Sequence, residues 1–522
     1  MAVPITKEPE PETASEENVA KAKVNSTVSV EPVANGVPKP STTSMVELAA
    51  IITKETEKLE KYLKQSGCAM PGFDVDSPAN FPKLPEEIKK AREEVVRASK
   101  ELADLVTGPT ESLRWMAWDH NNSLSLHAIY HYKIAKSFPL HETATFAQIA
   151  EKVGLDEVNV RRFLRHAMTN RIFYEPSPGI VVHTAASKVL AEDAAMDDWV
   201  GFCTDDMWPA ASKTVGAIEL NPSASEMTQT GFTLANGTTD IEPMFATFGK
   251  SPLRAKRMGG AMVSLTGGEG YEVSYLLDNY DWASLDSISG TLVDIGGSHG
   301  FVCVDLAKRY PNMKFVVQDL PKTVASAPKL DDDIADRITF QAHDFHTPQP
   351  VKGADVYLYR WILHNHSDKY ALNMLRQLIP ALKKGARVII NDHCLPEPGV
   401  ESLWDEKIIR TMDLVMLTLL NAQERAEGEF KELFEKASEG FGGGFKFLGA
   451  SRPKGCRMSI VEAVWEGEDF SGAKGKDVKE AEKDREGKIE EVKEAKPEEM
   501  NATDEPAKAG ETNGDGIKAT ES

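Results

Sequence analysis

Four segments of the chain carry residue types that do chemistry, at spacings that suggest they share one site. LVDIGGSHGF (292–301) runs from a β-branched stretch into glycines and a helix start. Gly296 and Gly297 let a backbone turn tightly and approach a ligand with no Cβ in the way. The loop departs from the dinucleotide pattern G-x-G-x-x-G, because Ser298 stands where the second glycine belongs. Asp319 closes FVVQDLP, 23 residues after Gly296, where a carboxylate accepts hydrogen bonds from both ribose hydroxyls. Asp344 in AHDF is placed to accept from an adenine amino group, with Phe345 beside it to pack the ring face. Any one of these also fits a plain strand-to-helix turn; three in succession point to a nucleotide moiety. The fourth segment, RWILHNHSD, offers two imidazoles, His364 and His366. Histidine suits proton transfer near neutral pH.

The elements that must position these groups are short β-branched runs alternating with helices. TLVDIG, MKFVVQD, ITFQAHD, ADVYLYR and ARVIIND read as buried strands, and FVCVDLAKRY, LPKTVASAP, HSDKYALNMLRQLIPALKK and DEKIIRTMDLVMLTLL as helices. The alternation predicts an α/β fold with a doubly wound parallel sheet, its ligand beyond the carboxyl ends of the strands. FKFLGASRP and CRMSIVEAVW predict a closing hairpin, with the last strand antiparallel at the sheet's side. Upstream, from Ser44 to about Ile241, the signals are mainly helical. ATFAQIAEKVG, a turn at Leu155-Asp156, EVNVRRFLRHAMTNRIFYE and a hairpin in PGIVVHTAASKVLAED give the outline of a winged-helix domain. The expected organisation is a disordered segment over 1–43, a helical domain over 44–241, the sheet domain over 242–466 and a disordered charged tail over 467–522.

Composition narrows the partners. The 522 residues are 41% hydrophobic and 27% charged, enough for a sizeable core, and the net charge is −21. Residues 467–522 hold −7 of it and 1–43 hold −2, so −12 stays with the folded part. That sign repels phosphate backbones and anionic lipid heads, so neither nucleic acid nor a membrane is an expected partner. Five scattered cysteines suggest no disulfide framework, and no Cys/His cluster has metal-ligand spacing. The first residues lack the apolar core of a leader, and no apolar run is long enough to cross a bilayer. A soluble, cytoplasmic protein is the expectation.

The order of glycine loop, DLP, HDF, RWILHNHSD and ERAEGEF resembles the S-adenosylmethionine-dependent O-methyltransferases of plant phenylpropanoid and fungal aromatic polyketide metabolism. The similarity spans roughly residues 110–465 and lies closer to the fungal members. It implies a Rossmann-like methyltransferase sheet, an N-terminal winged-helix domain serving dimerisation rather than DNA binding, and a homodimer. It further implies S-adenosylmethionine as methyl donor, contacted by Gly296, Asp319, Asp344, Phe345 and Arg360. The family motif makes His364 the general base and puts orienting acids at Asp392 and Glu424, each holding the imidazole's other N–H. His366 is expected at the surface, beside a helix N-cap. Met258 and Met262 match pocket-lining positions, with Met416, Trp208 and Trp361 as further candidates. No Asp/Asn trio of the kind that holds a divalent metal is seen, so a metal-independent reaction is expected. The implied substrate is a small aromatic, polyketide-derived molecule bearing a hydroxyl. Plant members commonly have Glu at 392 and Asp at 365, where this chain has Asp392 and Asn365, and His299 replaces a small residue.

Three other readings stay open at this stage. Arg161, Arg162, Arg165 and Arg171 make one helix basic enough for a DNA-binding regulator. The sheet also suits an NAD-dependent oxidoreductase, against which the broken fingerprint speaks. Asn365 and His299 leave room for an inactive homologue acting as a partner subunit.

Overall fold

The computed structural model describes residues 43–470. The two segments expected to be disordered therefore lie almost wholly outside the described residues. Of the second, residues 467–470 are described, and the Phe470 amide donates to the Leu382 carbonyl at 2.9 Å.

The chain opens with two paired helices, Met45–Gln65 and Glu86–Thr107. Ser44 accepts from the Glu47 amide while Glu47 reaches back to the Ser44 N–H, so a capping box fixes the first start. Thr145 and Gln148 cap a helix over Phe146–Val153 in the same way, and Gly154 at φ +71° ends it. Asp156 then caps Glu157–Thr169. With β1 (Ala144–Thr145), β2 (Tyr174–Ser177) and β3 (Ile180–Val182), these helices enclose a core of Ile129, Phe146, Ile149, Val160, Leu164, Phe173 and Val181.

The expected hairpin in PGIVVHTAASKVLAED is only half right. Its first half is β3, which pairs with β2 and β1 in the order β1-β3-β2. The remainder is a helix, Ala185–Glu192, because Thr184 and Ser187 form another capping box. The basic helix is also less free than its sequence suggests. Arg161 pairs with Glu157 at 3.0 Å, Arg165 is bidentate to Glu175, and Arg171 lies over the Phe73 ring.

The second half builds a seven-stranded sheet from β4 (Thr291–Ile295), β5 (Lys314–Asp319), β6 (Ile338–Ala342), β7 (Val356–Arg360) and β8 (Arg387–Asp392). Two-residue strands β9 (Cys394–Leu395) and β10 (Arg425–Ala426) pair in parallel beside it, and β11 (Phe445–Ser451) and β12 (Ser459–Trp465) complete the sheet. The order is β11-β12-β8-β7-β4-β5-β6, parallel from β8 to β6. The last strand, β12, is antiparallel to β8 as expected, but β11 rather than β12 takes the edge. Alternate residues of the central strands feed two cores. Val293, Tyr357, Tyr359 and Ile390 meet the helices Asp368–Leu378 and Glu427–Ser438, whereas Leu292, Leu358 and Ile389 meet Phe301–Arg309 and Trp282. The direction of winding reverses between β4 and β7, so a ligand crevice opens beyond their carboxyl ends. Among the described residues no helix is long and apolar enough to cross a membrane.

Candidate active site

The glycine loop follows β4 directly at this reversal. Gly296 sits at φ +74°, and a Cβ there would come within 2.5 Å of Ile362 Cδ1. A Cβ on Gly297 would meet Asp294 Oδ2 at 2.4 Å, so a side chain at either position would displace a neighbour, and at Gly296 it would also be strained by the positive φ. Their amides donate to the Gln318 carbonyl at 2.8 and 3.0 Å, pinning the loop to the end of β5. There Asp319 accepts from the Ser298 amide at 2.9 Å and from its neighbour Leu320. Asp344 lies two residues past β6 rather than at its end; it is exposed and accepts from the His346 amide. Phe345 is half-buried against His346 and His366. A cradle closed to side chains, a carboxylate and an aromatic ring suit the ribose and adenine of a nucleoside. His299 is exposed and bonds Ser326. Asp294 escaped the sequence reading; burial pushes its carboxyl up to about 7.

Arg360, expected to touch the cofactor, is buried and bonds protein groups through both Nη atoms. One Nη donates to Asn391 of β8 and the other to the Tyr271 carbonyl at 2.9 Å.

β7 ends at Arg360, Trp361 takes a left-handed turn at φ +58°, and a 3₁₀ turn over Leu363–Asn365 delivers His364. Its Nδ1 lies 2.9 Å from Glu424 Oε1, and both side chains are buried. A carboxylate only accepts, so Nδ1 carries the proton and the neutral ring presents Nε2 as a lone pair. Burial works against the charged ring, but the Glu424 carboxylate overrides it and lifts His364 above the ordinary histidine value. Burial likewise works to raise Glu424, yet the facing imidazoles, His364 first, hold it at about 2.

Asp392 does not hold the ring. Its Oδ2 accepts the backbone N–H of His364 at 3.1 Å. It is fully buried, which lifts its carboxyl above the usual range. The turn is braced by Arg425, which donates to the Leu363 and His366 carbonyls at 3.1 and 2.8 Å and to Asp368. His366 is not at the surface. It is 7% exposed, donates from Nδ1 to the Ile362 carbonyl at 2.9 Å and packs on Phe345 and His346, and burial lowers it to about 4.

Met258 and Met262, on the helix Pro252–Thr266, join the buried Met416 of the helix Leu403–Leu420 in one cluster. Met207, Met227, Met244 and Met412 complete it around Phe202, Phe232 and Phe248; these four escaped the sequence reading because they are spread over separate elements. Trp361 lies 5.0 Å from the His364 ring, whereas Trp208 packs against His127. Among the described residues the fold also assembles two groups of possible metal ligands that the sequence reading did not find: His127, His131 and Asp205, and His364, His393 and Glu424.

Residues 225–442 match the family model of the O-methyltransferase domain. A chlorophenol O-methyltransferase of Trichoderma longibrachiatum is 52% identical over 425 residues, covering 81% of this chain and 90% of that protein. The chain belongs to the O-methyltransferase family. A Cladonia grayi O-methyltransferase from a grayanic acid biosynthesis cluster is 37% identical, over 81% of this chain and 88% of its own. Among solved structures, OxaC in complex with sinefungin and meleagrin superposes at a TM-score of 0.60 with 20% identity, covering 80% of this chain and 99% of that one. LepI in complex with S-adenosylmethionine gives 0.58 at the same identity, covering 81% and 100%. At such identities these two structures speak for the fold alone.

Proposed function

We propose that the chain transfers a methyl group from S-adenosylmethionine to a hydroxyl of an aromatic, polyketide-derived metabolite, with His364 as general base. The observation that carries this reading is the 2.9 Å contact between His364 Nδ1 and Glu424 Oε1, which leaves Nε2 as the lone pair. S-adenosylmethionine, when bound, supplies an electrophilic methyl carbon. Gly296 and Gly297 give its nucleoside room, Asp319 accepts from the ribose, and Asp344 with Phe345 receives the adenine. A phenol attacks well only as phenolate, since its pKa is about 10. His364 Nε2 takes that proton, and Glu424 balances the imidazolium that forms. Asp392 acts one step back, anchoring the His364 backbone so that the ring cannot swing away. Proton removal by His364 is all the activation the nucleophile needs, so the proposal includes no metal.

Histidine 364 to alanine is expected to lower kcat by roughly 10²–10⁴-fold with cofactor affinity retained. Turnover at the wild-type rate, measured with methyl-labelled cofactor and a panel of polyhydroxylated aromatics, would remove the assignment. A second reading of the substrate is favoured by the chlorophenol O-methyltransferase relative: a chlorinated phenol, against which the polarizable methionine sulfurs pack well. Chlorophenols therefore belong in the same panel, and the better acceptor decides.

The homodimer belongs to this proposal too. Leu113, Trp115, Met116 and Trp118 on the helix Pro109–Trp118 are each more than 60% exposed, an apolar face suited to a second copy. A monomer in sedimentation equilibrium at micromolar concentration overturns it.

A further inference from the structure

His127 and His131 stand four residues apart on the helix His120–His131, so both imidazoles leave the same face. That helix meets the π-helical turn Phe202–Met207, which carries Asp205. His127 Nε2 donates to Asp205 Oδ1 at 2.8 Å, and the two imidazole rings lie 5.8 Å apart, edge to face. One ligand atom from each of the three residues lies within 4.8 Å of the other two. Four-coordinate zinc, with bonds of about 2.0–2.1 Å to nitrogen and oxygen, sets its ligands about 3.3 Å apart. The remaining gap closes by rotation of His131, which is exposed and is the last residue of its helix. The surroundings hold the acid ready. Arg257 donates to Asp205 Oδ2, leaving Oδ1 to the imidazoles. The guanidinium charge is answered by Asp206 as well, at 2.6 Å, so Asp205 is not consumed by it. Trp208 packs edge-on against the His127 ring and limits its swing.

We propose that His127, His131 and Asp205 form a binding site for a divalent ion of the zinc type, with water in the fourth position. Two imidazoles and one carboxylate suit zinc, whereas calcium and magnesium require a shell of oxygens that these residues do not supply. The ion takes the place of the proton between Nε2 and Oδ1, and that proton passes to His127 Nδ1. Once bound, it ties the helix His120–His131 to the turn that leads through Met207 into the methionine cluster. Its role is that of a clamp, and it stands independently of the reading of His364 as the base.

The test uses the full chain without an affinity tag, stripped of metal by a chelator and titrated with zinc chloride in calorimetry. Wild type is expected to bind one more equivalent of zinc than His131→Ala. It should also melt higher with zinc than without, a gain that His131→Ala reduces. Because His131 is exposed, that variant should fold and turn over substrate as wild type does. Asp205→Asn keeps the volume and gives up the charge. It should weaken the site by at least the 10–100-fold that loss of an outer-shell partner costs. His364→Ala, which removes a member of the other histidine group, should leave this equivalent in place. Magnesium and calcium chloride should not compete. Absence of zinc binding, equal zinc stoichiometry in wild type and His131→Ala, or unmoved affinity in Asp205→Asn overturns the site. So does loss of this equivalent in His364→Ala or its displacement by magnesium or calcium. Should Asp205→Asn fail to fold, the stoichiometry of His131→Ala decides alone.

Discussion

Replacing Glu424 with glutamine deletes one charge and changes little else, so its effect can be worked from the geometry. In the transfer His364 becomes an imidazolium facing a carboxylate at 2.9 Å, both groups buried. With charge centres about 4 Å apart and an effective dielectric near 20, the attraction is about 4 kcal/mol. At 1.36 kcal/mol per tenfold, Glu424→Gln is expected to reduce kcat by roughly 10³-fold. The pH dependence supplies a second, independent sign. His364 works only when neutral, and Glu424 lifts its pKa above the ordinary value, so wild-type activity falls as pH drops through that raised value. Without the carboxylate the ring loses its proton more readily, and the acid limb should move to lower pH while the plateau falls. The assay is a pH–rate profile with methyl-labelled cofactor, beside a thermal melt to show that the variant is folded. A folded variant whose plateau and acid limb both match wild type would refute the pairing as the source of catalysis.

Two further outcomes probe the cradle and its support. Asp319→Ala should weaken S-adenosylmethionine binding by about 10- to 100-fold in calorimetry, the loss expected of hydrogen bonds to a charged acceptor; unchanged affinity would mean the ribose site lies elsewhere. Asp206, 2% exposed, holds Arg254 and Arg257 at 2.6 Å each, beside the helix that carries Met258. Asp206→Ala takes the carboxylate from Arg254 and leaves Arg257 with Asp205 alone, costing about 3 kcal/mol, and the melting temperature should fall by roughly 3–4 °C. A shift below about 2 °C would show that the network contributes little.

What the sequence made legible is what periodicity and short-range chemistry encode. The five parallel strands follow from buried β-branched runs, and the glycine loop is readable because Gly296 and Gly297 stand between a strand run and a helix start. His364 and Glu424 were nameable through their motifs. The parts that escaped depend on partners far along the chain. His366 reads as surface because Ser367 starts a helix, but the loop after β6 folds Phe345 and His346 over it. His393 was missed because its partner is 31 residues on, joined through β9 and β10, strands too short to leave a periodic trace. The protein partner of Arg360 was not legible for a related reason, since Asn391 sits on the neighbouring strand at the register position opposite.

The three residues Asn391, Asp392 and His393 show how one strand end can serve three different supports. All are at most 2% exposed. Asn391 occupies Arg360 and so fixes the end of β7, Asp392 receives the His364 amide and fixes the turn that follows, and His393 meets the carboxylate that orients the ring. Each bond acts on a different part of the path from β7 to the imidazole: strand, backbone turn and side chain. A glutamate in place of Asp392 would reach one carbon farther and compete with Glu424 for the ring. The shorter aspartate bonds the backbone, which leaves Glu424 as the carboxylate on Nδ1, while the charge of Asp392 adds to the hold on the proton and Arg425 opposes it.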